Sequence, residues 1–239
     1  MKEEIFYQKL EESFSTQNIN LTEMQKKRFY DYANLLIQWN EKMNLTAITD
    51  MEEIILKHFL DSVTVLPWIP ENSYVIDIGT GAGFPGIPIQ IMQPNHMVLL
   101  DSLNKRITFL KEVIQNLGLQ EINAIHGRAE EKGQEQKNRE TFDIAVSRAV
   151  APLNVLVEYG LPFVKLQGNF LCMKGNNIET EIKEAQNAIC KLGGRIKEIK
   201  EFTIGKEKLS RSIIVIEKIK KTPMIYPRKA GKPTKEPII

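Results

Sequence analysis

Residues 74–89, "YVIDIGTGAGFPGIPI", pass from an apolar run into a turn that contains four glycines. The apolar run predicts a buried strand, and the glycines mark a turn directly after it. Gly79, Gly81 and Gly83 permit positive φ angles and let a ligand approach the backbone, while Pro85 suits the first position of a helix. The segment therefore predicts a strand, a ligand-binding turn and a helix in succession.

The same alternation of strand and helix continues along the chain. Further strands are predicted at 96–101, 122–126, 142–148 and 168–174, each followed by a helical segment. Five such units predict a parallel sheet with helices on both faces, because parallel neighbours need crossover connections. Residues 195–204 and 211–219 then form two strands without an intervening helix, which predicts an antiparallel pair that closes the sheet.

The N-terminal third is predicted to be helical. Thr22 and Gln25 form a capping box at the start of a helix that extends to about residue 44. A second helix is predicted from 51 to 65, ending before Pro67. We therefore divide the chain into a helical extension (1–70), a large α/β domain (71–219) and a basic, extended tail (220–239).

Composition narrows the class of protein. The chain has 239 residues, of which 42% are hydrophobic, enough for one large domain with a small appendage. It has no apolar run of about eighteen residues and begins with a charged segment, so we expect neither a membrane span nor a signal peptide, and a cytoplasmic location.

Charge is unevenly distributed. The net charge is +2, yet residues 218–235 contain seven basic residues and no acid. Such a tract favours a polyanionic partner, although a merely solvated tail is the alternative.

The cysteines and histidines do not indicate a disulfide, a catalytic thiol or a metal site. Cys172 and Cys190 fall in a predicted strand and a predicted helix, which favours buried thiols over a disulfide or a nucleophile. His58, His96 and His126 are scattered, so we expect no metal.

Two cofactors compete for the glycine turn, and a purely structural turn is a third possibility. Residues 81–86 fit the G-x-G-x-x-G dinucleotide pattern, and Asp101 ends the next strand at the distance expected for a ribose-binding acid. Asp77 would repel a pyrophosphate at this helix N-terminus, whereas S-adenosylmethionine brings a cationic methionine end and no phosphate. The acid therefore favours the methyl donor, with Asp77 near the methionine end and Asp101 on the ribose.

Several longer motifs carry a resemblance to a known family. "WNEKMNLTAIT", "KHFLDS", "DIGTGAGFPGIP", "DSLNKRITFL", "GRAEE", "SRAVA" and "YPRKAGKPTKEPI" occur in order across nearly the whole chain. Together they resemble the glucose-inhibited division protein B family, the small-subunit ribosomal RNA guanine-N7 methyltransferases.

The resemblance implies a fold, a reaction and a set of site residues. The fold would be a class I (Rossmann-like) α/β methyltransferase, with a seven-stranded, mostly parallel sheet and an N-terminal helical addition. The reaction would be methyl transfer from S-adenosylmethionine to N7 of one guanine in small-subunit ribosomal RNA. By matching motif, Gly79 and Phe84 belong to the cofactor turn, Ala129 and Glu130 to the adenine side, and Arg148 to the border of the active site. Asp77, Gly81 and Asp101 follow from the class I pattern and from the charges.

Guanine N7 has a lone pair and no proton, so its methylation needs no general base and depends on positioning and electrostatics. Arg148 is the candidate catalytic residue. It would bind guanine O6, a phosphate or the cofactor carboxylate, unless it forms an ordinary surface salt bridge.

Two groups of residues are candidates for RNA binding. Lys57, His58 and Asp61 would line the substrate cleft from the second helix, unless Lys57 and Asp61 form a surface ion pair on one helix face, with His58 pointing about 100° away. In the tail the candidates are Tyr226, Arg228, Lys229, Lys232 and Lys235, because they interleave an aromatic ring with cations. We expect truncation after Ile219 to weaken RNA binding while leaving cofactor affinity nearly intact.

The partner would be ribosomal RNA, either naked or in an assembled small subunit, and we expect a monomer without metal or membrane. Two other functions remain open from the residues: an RNA-binding protein that lacks activity, and an NAD-dependent oxidoreductase, which Asp77 disfavours.

Overall fold

The computed structural model describes residues 1–176 and 178–239 and contains a seven-stranded sheet. The strands are β1 (Tyr74–Ile78), β2 (His96–Asp101), β3 (Ile122–His126), β4 (Phe142–Arg148), β5 (Val164–Lys174), β6 (Gly194–Ile204) and β7 (Leu209–Lys218). Their order is β3-β2-β1-β4-β5-β7-β6, and β7 runs antiparallel to both β5 and β6. The other neighbours are parallel, which confirms the predicted mixed sheet. The strand order changes direction between β1 and β4, where open α/β sheets bind their ligands.

Helices cover both faces of the sheet. They are α5 (Gly86–Met92), α6 (Asn104–Asn116), α7 (Ala129–Lys132), α8 (Leu153–Gly160) and α9 (Glu179–Lys191). α8 and α9 share one apolar core with the sheet, whereas α5 and α6 belong to a second core on the other face. Cys172 is buried as predicted, but the prediction for Cys190 is wrong, because it lies on the solvent side of α9.

The N-terminal helices pack into the second core. They begin with α1 (Glu3–Ser15) and α2 (Glu23–Met43). A helical N-terminal third was predicted from the sequence, but α1 was not predicted as a helix of its own. The predicted capping box is present, because the Thr22 hydroxyl accepts from the Gln25 amide and the Gln25 side chain accepts from the Thr22 amide. Phe29 and Phe59 lie in the same cluster as Phe109 of α6, so this extension covers the sheet directly.

The helix predicted from 51 to 65 is not one regular α-helix. It consists of α3 (Met51–Glu53), a π-helix (Ile54–Leu60) and α4 (Asp61–Val63). π-Helical turns are rare in proteins, and those that occur are often found at functional sites. Apolar periodicity in the sequence does not distinguish such a turn from an α-helix. This turn packs against the ligand-binding edge of the sheet, as described below.

The tail is irregular over most of its length and is folded onto the domain. It contains a short helix, α10 (Lys232–Lys235). Arg139 of the domain donates hydrogen bonds to three backbone carbonyl oxygens of the tail, those of Thr222, Pro223 and Tyr226. Lys218, counted with the basic tract, is fully buried and pairs with Glu140 at 3.1 Å. Its pKa is lowered to about 8, chiefly by desolvation. The tail therefore packs on the domain over much of its length.

Candidate active site

A cavity of about 610 Å³ opens at the carboxyl ends of β1, β2, β3 and β4. Its lining includes nearly all of the predicted cofactor residues: Gly79, Gly81, Phe84, Asp101, Ala129, Glu130 and Arg148. The volume falls in the range of small-molecule sites, and the position is the one expected at the change of strand order. The structure thus brings these seven residues together.

The glycine turn forms the floor of this cavity. Gly79 has φ +69° and Gly81 has φ +63°, a left-handed conformation that side chains rarely adopt. A Cβ atom on Gly79 would also lie 2.6 Å from Val150 Cγ2. Glycine at position 79 therefore satisfies both a backbone conformation and a close approach.

Asp77 lies behind the turn rather than in the cavity. Its Oδ2 atom accepts hydrogen bonds from the Thr80 hydroxyl at 2.6 Å and from the Gly86 amide at 2.8 Å, and its Oδ1 atom has no partner among the described residues. It is not among the described residues that line the cavity. Its side chain ties the turn to the start of α5, and its place near the methionine end stays a prediction. Desolvation raises its pKa to about 7.

Asp101 lines the cavity, as predicted, and its carboxylate is held in place. Oδ2 accepts from the Gly81 amide at 2.9 Å and from Arg106 at 3.1 Å, and Oδ1 accepts from the Leu103 amide at 2.9 Å. Each carboxylate oxygen has two lone pairs, so Oδ2 is fully used and Oδ1 can accept one further hydrogen bond from a ligand hydroxyl.

Arg148 enters the cavity from the end of β4 and is fixed by the N-terminal helices. Its Nη1 atom donates to the Lys57 carbonyl at 2.9 Å and to Asp61 Oδ2 at 3.0 Å, and Nη2 donates to His58 Nδ1 at 3.2 Å. The guanidinium carbon lies 5.2 Å from the centre of the Phe84 ring. We call Arg148, His58, Asp61 and Phe84 the Arg148 cluster.

His58 is neutral in this cluster. Arg148 can only donate, so Nδ1 accepts, and the ring proton lies on Nε2, 2.9 Å from the Thr46 hydroxyl. Burial lowers the pKa of His58 to about 3, with Arg148 as a second cause. The imidazole stacks on Phe84 with ring centres 4.3 Å apart. Phe84 therefore serves both the core and the cavity.

The structure does not contain the Lys57–Asp61 ion pair, which was the alternative to a helix that lines the cleft. Lys57 Nζ pairs with Glu53 at the surface at 2.5 Å, whereas Asp61 is buried and binds Arg148 and Arg211. The intervening turn is π-helical, so residues 57 and 61 are not stacked as on an α-helix. His58 and Asp61 converge on one guanidinium instead of pointing apart.

Sequence reasoning missed several residues of the site. Arg211 of β7 donates to Asp61 Oδ1 at 2.7 Å from 150 residues away, and no local pattern marks it. Thr46 lies in a motif that carried the family resemblance, but its contact with His58 was not predicted. Tyr159 of α8 and Thr234 of α10 line the cavity beside Glu130, and their hydroxyl oxygens are 2.9 Å apart.

The tail cations divide into two kinds. Lys229, Lys232 and Lys235 are exposed, and Tyr226 is partly buried. Arg228 instead forms a bidentate pair with the fully buried Glu158, at 2.9 Å and 2.6 Å. Because the tail also contributes Thr234 to the cavity, truncation after Ile219 would expose Glu158 and open the cavity, contrary to the expectation of intact cofactor affinity.

The described residues contain neither a membrane-spanning helix nor a cluster of metal ligands. Within the described ranges, no helix has both the length and the apolarity to cross a bilayer. In the same ranges, no three His, Cys, Asp or Glu side chains are grouped to hold a metal ion.

Comparison with known proteins gives consistent matches. The model of the GidB family, rRNA small subunit methyltransferase G, matches residues 25–212. A ribosomal RNA small subunit methyltransferase G from Alkaliphilus metalliredigens is 54% identical over 92% of this chain and 93% of its own length. One from Acetivibrio thermocellus is 53% identical over 92% and 91%. Among solved structures, a SAM-dependent methyltransferase from Aquifex aeolicus superposes with a TM-score of 0.52 at 14% identity, over 73% of this chain and 97% of that one. This last likeness concerns the fold alone.

Proposed function

Because the chain belongs to the GidB family of small-subunit ribosomal RNA methyltransferases, we propose that it transfers a methyl group from S-adenosylmethionine to N7 of one guanine in small-subunit ribosomal RNA. The structural observation that carries the choice of donor is the contact of Asp77 with the Gly86 amide at 2.8 Å. A dinucleotide would place its pyrophosphate at the N-terminus of α5, the helix that begins at this residue. Since a carboxylate already occupies it, a methyl donor without phosphates fits the turn better.

The cavity offers a place for each part of the donor. Asp101 would accept a hydrogen bond from a ribose hydroxyl through Oδ1, and the backbone at Ala129 and Glu130 would border the adenine. Gly79, Gly81 and Phe84 would line the methionine side, where Arg148 is the cation available to its carboxylate. Asp77 contributes by holding the turn from behind.

S-adenosylmethionine supplies an electrophilic methyl group on a sulfonium. The new bond joins that carbon to guanine N7 as the carbon–sulfur bond breaks, and no proton moves in this step. The protein's task is then orientation. Arg148 is rigid because three groups hold its guanidinium, and it would orient either the donor carboxylate or guanine O6 at the reacting centre. His58 stays neutral, so it adds no positive charge to repel the sulfonium.

RNA would approach across the cavity mouth. We propose that Lys229, Lys232 and Lys235 bind phosphates, with Tyr226 beside them, and that Lys57 contacts RNA from the π-helix. Arg228, Asp61 and His58 act in this scheme by holding the tail and Arg148 in position. Because one chain supplies the whole cavity and the substrate is ribosomal RNA, we place the protein in the cytoplasm as a monomer.

The test is methyl transfer in vitro. Purified protein with radiolabelled S-adenosylmethionine should label small-subunit RNA, offered both naked and in assembled subunits, at one guanine that then becomes sensitive to borohydride and aniline. Asp101→Ala should weaken donor binding in calorimetry, whereas Asp143→Ala, which removes an acid outside the cavity, should not. RNA binding without transfer would favour an inactive RNA-binding protein, and NADH binding would favour the oxidoreductase.

A further inference from the structure

The rim of the cavity next to α7 and α8 is built by the tail. Thr234 lines this rim and shares a hydrogen bond with the hydroxyl of Tyr159, the two oxygens lying 2.9 Å apart. Tyr159 also lines the cavity, and its pKa is raised, chiefly by burial. Two residues that are 75 positions apart in sequence thus form one piece of the cavity surface.

Two further contacts fix this part of the tail. The Gly231 amide donates to Glu130 Oε1 at 2.9 Å, immediately before α10. Arg228 binds Glu158, the residue before Tyr159, through its guanidinium and its backbone amide. Pro233 is buried beside Thr234. Residues 228–236 are therefore held at three successive points on α7 and α8.

The position of this rim indicates which part of the methyl donor would contact it. In the function proposed above, Asp101 marks the ribose, and Arg148 and the glycine turn mark the methionine side. The remaining side of the cavity lies at the end of β3, where Glu130 contacts the tail. An adenine ring there needs apolar surface along its faces and polar groups at its edge, which a tyrosine ring and a threonine side chain can supply.

We infer that residues 228–236 form part of the methyl-donor site, with the Tyr159–Thr234 pair bordering the adenine moiety. This inference rests on the proposed function. It differs from an RNA-binding role for the tail because it predicts a loss of donor affinity in the absence of RNA.

The test compares ligands with and without the methionine part. Calorimetry should measure the Kd of S-adenosylmethionine and of 5′-methylthioadenosine for the full chain and for Tyr159→Phe and Thr234→Val. We expect both variants to raise both Kd values about five- to tenfold, and the double variant to add little, because the two hydroxyls form a single contact. Thr234→Ser keeps the hydroxyl and should bind both ligands with the Kd values of the unaltered protein, in contrast to Thr234→Val. Tyr74→Phe is the matched control, since it removes an exposed tyrosine hydroxyl outside the described cavity lining.

The outcomes separate this inference from the function on which it rests. Failure of the unaltered protein to bind either ligand would overturn the proposed donor. Normal donor binding by the unaltered protein, together with unchanged Kd values in Tyr159→Phe and Thr234→Val, would overturn only the role of the tail. If one variant unfolds, thermal melting shows it, and the other single variant then decides, because Tyr159→Phe and Thr234→Val each remove one hydroxyl of the same contact.

Discussion

Two arginine–carboxylate pairs of this protein are alike in chemistry and different in use. Arg148 pairs with the buried Asp61, and Arg228 pairs with the buried Glu158. Arg148 borders the cavity and lies over the Phe84 ring, whereas Arg228 is not among the described lining residues and fastens the tail to α8. The difference lies in the surroundings, because a pair acts on a ligand only where one partner lines the binding site.

The two carboxylates also differ in the number of arginines that they bind. Asp61 binds two arginines, Arg148 at 3.0 Å and Arg211 at 2.7 Å, so it keeps a partner if either is lost. Glu158 has Arg228 as its one cationic partner among the described residues. Removal of the arginine should therefore affect chemistry in the first pair and folding in the second.

The largest expected effect is on folding, from Arg228→Ala. This change leaves the fully buried Glu158 without its cation, and breaking a buried pair in this way costs about 3–5 kcal/mol. Urea unfolding should show a lower midpoint. Arg195→Ala, which breaks the exposed pair with Glu217, is the control and should change stability by less than about 1 kcal/mol. Equal stabilities of the two variants would contradict the structural role of Arg228.

The next largest effect is on turnover, from Arg148→Ala. Loss of a fixed charge at a reacting centre typically lowers the rate 10²- to 10³-fold, or about 3–4 kcal/mol, and we expect that loss in kcat/KM here. The free energy of unfolding should fall less than in Arg228→Ala, because Asp61 keeps Arg211. Arg211→Ala removes the other cation of the same carboxylate and should reduce kcat/KM at least tenfold less. The assignment of Arg148 would be wrong if both variants lost activity equally.

A smaller effect concerns the pH dependence of stability. The folded protein raises the pKa of Asp77 from 3.8 to about 7, so Asp77 makes the fold less stable as pH rises from about 4 to 7. It lowers the pKa of His58 from 6.5 to about 3, so His58 makes the fold less stable as pH falls from about 6.5 to 3. The two slopes oppose each other, each at most about 1.4 kcal/mol per pH unit.

Substitution separates these two slopes. In Asp77→Asn, urea stability should rise with pH between 4.5 and 6.5 more steeply than in the unaltered protein. In His58→Gln, it should instead fall over the same interval. The same slope in all three proteins would show that neither group titrates as its burial implies.

The smallest effect is that of a single exposed cation in the tail. Lys229→Ala should weaken RNA binding a few-fold and reduce the slope of log Kd against log salt by about 1, if Lys229 contacts one phosphate. Donor affinity in the absence of RNA should change much less than in Thr234→Val, because the Lys229 side chain is exposed and is outside the described cavity lining. Lys200→Ala, an exposed lysine of β6, is the control, and an equal loss in both variants would indicate non-specific attraction.

Local features of the fold and site were predictable from the sequence. The glycine turn, Asp101 and the strands that carry them follow from short patterns, because each depends on residues that are close in the chain. The capping box of α2 is local in the same sense. The structure confirms these local predictions.

Contacts between distant segments were not predictable in the same way. The π-helix, the double pairing of Asp61 and the tail contact at Glu158 all depend on which surfaces meet after folding. The basic composition of the tail favoured a polyanionic partner, but the number of cations does not show that Lys218 and Arg228 pair with Glu140 and Glu158 of the domain. The direction of Asp77 was not predictable either, because an acid near a glycine turn can point to the ligand or to the helix behind it.

The double pairing of Asp61 also affects the order of folding. Its two arginines lie 87 and 150 residues further along the chain, so these contacts close long loops and cannot form until β4 and β7 have joined the sheet. Contacts across such separations form late, because loop entropy must be overcome first. On refolding from urea, helical signal should therefore return before catalytic activity. The protein would pass through a state with most of its secondary structure and an unassembled active site.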